Sequence, residues 1–287
     1  MLSNGDKFVI NGLDGEKKLS GEVLIGGAKN EVLKVLSASL LFKDGFVVEN
    51  VPDIADVRQL VVLLSELGVI VERINKNAYK LDTSSIVSYE LVSEISKKLR
   101  SSIVLTGPLL ARMKKVVFPY PGGCVIGKRP IDLFLDGFKK MGAVIEEDGT
   151  LFTITAPAGG LKGAEIFFKN QSVTATETFL MAGVLAQGKT VLKNCALEPE
   201  VESLGRWLSR CGAKIEGLGT STITIIGGEL LIGNGKTHQT MPDRIEAGSF
   251  IVLGALTARD LLVKNCCPGH LDSLLNLLRE SDVKLEM

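Results

Sequence analysis

LGVIVER (67–73), MGAVIEE (141–147), CGAKIEG (211–217) and SDVKLEM (281–287) are four versions of one phrase. In each, a turn-prone second residue is followed by apolar and charged side chains in alternation. Those second residues, Gly68, Gly142, Gly212 and Asp282, are 74, 70 and 70 positions apart. A fixed period of this size marks a repeated supersecondary unit. Ahead of each phrase lies a segment with apolar residues three and four apart: VRQLVVLLSEL, IDLFLDGFKKM, VESLGRWLSRC and LDSLLNLLRES. That spacing predicts an amphipathic helix, the glycine its left-handed C-terminal cap, and the alternation a strand.

Further upstream, each unit predicts another helix, starting near Asn30, Ser101, Val173 and Ile245, and then a short strand: FVVEN, KVVF, TVLKN or LLVKN. SIVLTGPLLA and FIVLGALTA are apolar nearly all round, as buried helices are, whereas the second helix of each unit has a polar face. The expected fold class is therefore α/β, with sheets outside and one set of helices packed at a centre. A tandem of ferredoxin-like units fits the same period.

Spacing also shows where the repeat is interrupted. From the end of the middle strand to the marker residue takes 18 positions from Asn50 to Gly68, 18 from Asn194 to Gly212 and 17 from Asn265 to Asp282. The second unit needs 23, from Pro119 to Gly142, and the surplus falls in PYPGGCVIGKRP (119–130). Insertions in a repeat become loops, commonly on the binding face. This one brings Cys124 together with glycines that admit a ligand to the backbone, and with Lys128 and Arg129, which can neutralise a phosphate and favour a thiolate. An incidental thiol beside a solvated helix start is the alternative.

GGAKN (26–30) places Lys29 at the start of an apolar helix whose free N–H groups could receive an anion. Arg100 holds the equivalent place in the second unit. MPDRIEAG (241–248) crowds Asp243, Arg244 and Glu246 at a helix start, either as a capping and ion-pair network or as part of a site. His238, His270 and Trp207 receive no chemical role.

Composition narrows the function classes. Lys plus Arg (33) balances Asp plus Glu (33), so no net field favours nucleic acid or an anionic membrane. No apolar run approaches the roughly 18–20 residues that span a bilayer, and the N-terminus lacks a signal-peptide core; a cytoplasmic protein is expected. Five cysteines (124, 195, 211, 266, 267) show neither a CxxC nor a Cys/His ligand spacing. Reduced thiols and no metal are expected, four of the five reading as small buried hydrophobes.

IGGAKN, LRSSIVLTGPLLAR, PGGCVIGKRPIDL, SVTATETFLMAGVLAQGKTVLKNC and MPDRIEAGSF, in this order and spacing, resemble the UDP-N-acetylglucosamine enolpyruvyl transferases, relatives of the enzymes that make enolpyruvylshikimate phosphate. The resemblance implies inside-out α/β barrels of three βαβαββ repeats each. It would make residues 20–238 one complete three-repeat domain carrying the cysteine loop, and 1–19 with 239–287 part of a second. It implies transfer of the enolpyruvyl group of phosphoenolpyruvate to a hydroxyl of UDP-N-acetylglucosamine with release of phosphate, in peptidoglycan synthesis, without metal or organic cofactor.

By the same resemblance, Cys124 is the general acid toward the methylene carbon. Lys29, Asn30 and Arg129 hold phosphoenolpyruvate. Arg100, Arg129, Pro130, Ile131, Asp132, Leu133, Ser172 and Val173 line the UDP-sugar site, the last two at the diphosphate. Two departures stand out. Thr174 occupies the place of a usual glycine, and six repeats are the family's number, which leaves about 140 residues without counterpart at about 70 per repeat. With them would go an aspartate base and several arginines, so a non-catalytic UDP-sugar-binding module is the competing reading. A fourth repeat alone cannot bury FIVLGALTA; exposed apolar surface, a swapped dimer or a missing partner segment is expected there.

Overall fold

The computed structural model describes residues 9, 11–12, 15, 19–120 and 131–287; the side chains of residues 98, 100, 258 and 259 are outside that set. The chain runs β1 (Leu19–Leu24), α1 (Lys29–Ala38), β2 (Gly45–Glu49), α2 (Ala55–Glu66), β3 (Ile70–Asn75), β4 (Ala78–Asp82) and α3 (Glu94–Lys98). A 3-10 helix, Arg100–Leu105, leads into α4 (Thr106–Met113), followed by β5 (Lys115–Pro119), α5 (Asp132–Lys140), β6 (Val144–Glu147), β7 (Leu151–Thr155) and β8 (Glu165–Phe167). Then come α6 (Val173–Val184), β9 (Lys189–Lys193), α7 (Pro199–Arg210), β10 (Lys214–Glu216), β11 (Thr222–Ile226), β12 (Thr237–Gln239), α8 (Arg244–Thr257), β13 (Ala258–Lys264) and α9 (Asp272–Glu280).

The phrase that reveals the repeat folds as its residues dictate. Gly68, Gly142 and Gly212 follow α2, α5 and α7 at φ of 102°, 86° and 112°, and Asp282 follows α9 at 61°, the left-handed conformation that ends a helix without a Cβ penalty when glycine supplies it. One helix start differs from expectation. Residues 100–105 are 3-10, and the α register begins at Thr106. Pro108 then falls in the first turn of α4, where its missing N–H would have had no helical partner anyway.

In three units the middle strand pairs antiparallel with the last strand, and the last with the marker strand: β2–β4–β3, β5–β7–β6 and β9–β11–β10. A parallel edge joins each middle strand, and it comes from the preceding unit. Glu90 bridges to Val117 of β5, β8 pairs with β9, and β12 returns to pair with β2. The edge exchange therefore closes cyclically over three units. A tandem of self-contained ferredoxin-like sheets is excluded, because each sheet borrows its edge. The strands form separate sheets, not one closed hydrogen-bonded barrel.

A recurring device latches these edges. Asn50, Asn194 and Asn265 end their middle strands at φ of 54°, 58° and 54°, a conformation asparagine tolerates better than most residues. Their side-chain amides donate to the carbonyls of Thr240, Phe168 and Ile25, each just past the edge strand, at 2.9, 2.8 and 2.8 Å. In the second unit Tyr120 stands in this place.

Helices α1, α4 and α6 and the 3-10 turn pack together, with α2, α5 and α7 beside them. Phe42, Phe46 and Trp207 stack at 4.6–6.2 Å between centroids, and Phe134, Phe138 and Phe168 surround Phe179. Gly107 lets α4 approach α6 so closely that a Cβ would lie 2.4 Å from the Thr178 carbonyl oxygen.

The fourth unit is thinner. β1 pairs in parallel with β13, so the domain boundary expected at residue 20 falls inside a strand that runs with the fourth unit. Its buried cluster comprises Ile25, Ala247, Leu271 and Leu275. VKLEM (283–287), expected as a strand, forms none. Elsewhere the marker strand pairs with a last strand, and among the described residues the fourth unit has none to offer. On α8 only Ala247 and Gly248 are buried, and Leu256 is 68% exposed.

Candidate active site

The cysteine loop, with Cys124, Lys128, Arg129 and Pro130, lies outside the described residues. Its two anchors are described: it leaves β5 through Tyr120 and re-enters at Ile131, which is buried at the start of α5. Asp132 opens that helix exposed, and Leu133 is half-buried. Leu133, Asp136, Lys140, Phe167 and Lys169 help to line a cleft of about 330 Å³ between α5 and β8.

The other site candidates sit at helix starts. Ser172 caps α6, its Oγ accepting from Ala175 N–H at 3.2 Å, with half-buried Val173 and Thr174 next to it. Arg100 opens the 3-10 helix, which packs against both α1 and α6. Lys29 and Asn30 begin α1, both exposed. A contact one turn inside each helix, Lys34 Nζ to Glu177 Oε2 at 3.1 Å, brings the starts of α1 and α6 near one another.

The α1 terminus corrects the sequence reading. Two of its backbone donors are taken: Ala28 N–H donates to the Met241 carbonyl at 2.7 Å, and Lys29 N–H to Asp243 Oδ2 at 3.2 Å. Gly26 N–H likewise donates to Glu246 Oε2 at 2.9 Å. A helix N-terminus attracts negative charge, and here α8 supplies it. Asp243 also caps α8 through Ile245 and Glu246 N–H, and Arg244 pairs with buried Glu200 at 3.0 Å. MPDRIEAG therefore works as a capping and ion-pair network that joins the fourth unit to the first and the third. The Lys29 ammonium is paired as well, with Asp56 at 2.7 Å, leaving its exposed head within reach of a stronger anion.

Sequence reasoning missed a polar system beneath these residues. Glu31 is fully buried and accepts from His238 Nε2 at 2.9 Å, from Ser203 Oγ and from Met241 N–H at 2.6 Å. One turn on, Lys34 Nζ donates to the Asn30 carbonyl at 2.6 Å and lies 3.1 Å from Glu177 Oε2. The available signal was Glu31 and Lys34, three apart and flanking or interrupting the apolar residues Val32, Leu33, Val35 and Leu36 of α1, and Glu177 inside TETFLMAG. His238, given no role, proves to be a buried partner of Glu31 packed on Trp207, ring centroids 5.1 Å apart.

Of the four other thiols, Cys195 and Cys211 are buried, as expected, and burial pushes both up to about 11. They are protonated and unreactive at neutral pH. Cys266 is half-buried and Cys267 exposed, so the reading of these as buried hydrophobes fails.

The family model described as EPSP synthase (3-phosphoshikimate 1-carboxyvinyltransferase) matches residues 13–286. The chain belongs to the EPSP synthase family. Within it, the chain is 45% identical over 283 residues to a UDP-N-acetylglucosamine 1-carboxyvinyltransferase of Koribacter versatilis, covering 98% of this chain and 64% of that protein. It is 42% identical to the protein of the same name from Finegoldia magna, covering 91% and 61%. The chain thus spans less than two thirds of these relatives' length. Among solved structures, the enolpyruvyl transferase NikO from Streptomyces tendae superposes with a TM-score of 0.82 at 22% identity, over 95% of this chain and 64% of that one. An EPSP synthase from Acinetobacter baumannii gives 0.72 at 22% identity. These two share the family fold.

Proposed function

We propose that this chain serves the transfer of the enolpyruvyl group of phosphoenolpyruvate to a hydroxyl of UDP-N-acetylglucosamine, with release of phosphate, in the cytoplasm and toward peptidoglycan. The observation that carries the reading is 45% identity along 98% of the chain to a relative named for that reaction. The relatives' names favour the transferase over a non-catalytic sugar-nucleotide module.

In the proposed architecture, three repeats form an inside-out α/β domain, from the end of β1 to about 238, whose helix starts face the substrates, and β1 with residues from 239 onward begins a second. Two features agree with it: the cyclic edge exchange over three units and the adjoining starts of α1 and α6. Lys29 and Asn30, with Arg129 from the loop, hold the phosphate and carboxylate of phosphoenolpyruvate. Ser172 and Val173 meet the diphosphate, and Arg100, Arg129, Pro130, Ile131, Asp132 and Leu133 the nucleotide. Cys124 protonates the methylene carbon while the sugar hydroxyl, giving up its proton, adds at the adjacent carbon; loss of a proton from the new methyl group with departure of phosphate then restores the carbon–carbon double bond. A thiol with two cations, Lys128 and Arg129, close by in sequence suits such proton transfer near neutral pH. No metal or organic cofactor enters this chemistry.

The test is phosphate release from phosphoenolpyruvate in the presence of UDP-N-acetylglucosamine. Release by the wild-type chain that disappears in Cys124→Ala supports the reading. Retention of the sugar nucleotide without any release favours the binding module.

A further inference from the structure

The buried pair Lys34–Glu177 has no part in the chemistry above, yet it joins the two helix starts on which that chemistry rests. Lys34 lies five residues after Lys29 in α1, and Glu177 four after Val173 in α6. Their side chains are 8% and 0% exposed. Lys34 Nζ is shared between the Asn30 carbonyl and Glu177 Oε2, the latter contact lying close enough for an ion pair but outside hydrogen-bond alignment, since neither Glu177 oxygen has a hydrogen-bond donor among the described residues.

Stability gives little reason for such a pair. Removing two charges from water costs more than an imperfectly aligned contact returns, and apolar replacements of buried pairs are often neutral or stabilising. The two helices otherwise contribute heavily to the main apolar core, Val35, Leu36, Phe179 and Leu180 among their buried residues. What the charges add is a link: Asn30's backbone is tied through Lys34 to α6, one turn below Ser172 and Val173.

We propose that Lys34 and Glu177 are positioning residues, setting the spacing between the Lys29–Asn30 turn and the Ser172–Val173 turn so that occupancy of one by its ligand favours occupancy of the other. This rests on the function proposed above. The groups facing Glu177 are Lys34 from α1, and Glu200 of α7 with Glu198 just before it; Glu200 is itself held by Arg244 of α8. Burial raises the Glu177 carboxyl to about 7, opposed by Lys34 and reinforced by Glu200 and Glu198. The link is ionic above neutrality and loses its anion below it, so the coupling weakens as pH falls.

The experiment is calorimetric titration of the full chain with UDP-N-acetylglucosamine, with and without saturating phosphoenolpyruvate, at pH 6 and pH 8. The wild type should bind the sugar nucleotide about fivefold or more tightly in the presence of the second ligand, with a larger ratio at pH 8. Glu177→Gln and Lys34→Met should each still bind either ligand alone, with a ratio near one at both pH values. Lys34→Arg should recover part of it. The apolar double variant Lys34→Met/Glu177→Leu, which leaves no unpaired buried charge, should fold, bind each ligand and show no coupling. A ratio in the variants equal to wild type, or a wild type that binds both ligands independently, overturns the positioning role alone. A wild type that binds neither ligand overturns the functional reading and this inference with it.

Discussion

Helices α4 and α8 carry nearly the same instruction, SIVLTGPLLA leading into one and FIVLGALTA ending the other, and they meet different fates. Residues 102–111 are buried throughout, enclosed by α6, the 3-10 turn and the end of α1. On α8, Ile245, Val252, Leu253 and Leu256 stand exposed, beside a groove of about 520 Å³ bounded by Arg244, Ile245, Val252 and Leu274. An all-round apolar helix therefore specifies that neighbours are needed, without supplying them. Three units complete one another; among the described residues, the body of α8 packs on β1, β13 and the Leu271–Leu275 face of α9.

The sharpest way to break this contrast is at the centre of the three units. Trp207 is 1% exposed and packs against Phe42, Phe46 and His238. Trp207→Ala should cost about 3–5 kcal/mol in urea unfolding, and an unchanged midpoint would contradict a core built there.

A paired glycine test compares the two regions directly. Gly107→Ala drives a Cβ to 2.4 Å from backbone at Thr178 and should cost about 1–3 kcal/mol through overpacking. Gly248→Ala in α8 meets only side-chain tips, of Leu274 at 3.2 Å and Leu271 at 3.5 Å. Since alanine favours a helix interior by about 0.5–1 kcal/mol over glycine, it should be neutral or slightly stabilising. Equal losses at both sites would erase the distinction.

The third test uses pH. Glu177's carboxyl is raised from 4.5 to about 7 in the fold, so the native state holds its proton more tightly than the unfolded chain does. Its contribution is fully present below 4.5 and is lost as pH rises through 7. Between pH 4.5 and 7.5 the stability of Glu177→Gln should gain on wild type by roughly 1–3 kcal/mol; parallel unfolding curves across that window would remove Glu177 from the account. The smallest effect belongs to α8: Leu256→Gln should change stability by no more than about 0.5 kcal/mol while lowering self-association in sedimentation, and unaltered association would show that this surface is not sticky.

The period, the capping residues and the helical faces were legible because each is local: Gly68, Gly142 and Gly212 announce left-handed caps by their identity. The interruption at 119–130 was legible as a count. What stayed hidden depends on partners distant in sequence. Nothing near Glu31 points to His238, 207 positions away, and nothing near Lys29 shows that Asp243 will take its amide. The expectation of free N–H groups at the α1 terminus holds only in part, because Asp243, another helix's cap, takes the Lys29 amide. The strand expected at 283–287 failed because alternation describes a face and not a partner.

The return of β12 to β2 has a consequence in time. Asn50 and Thr240, joined by the latch that secures this edge, are 190 residues apart. At synthesis rates of about 5–20 residues per second, that interval is roughly 10–40 s. During it the first sheet has left the ribosome with one margin open, a state that invites pairing with other nascent chains. The earliest unit made is thus the last to be finished, and its completion waits on translation of the third.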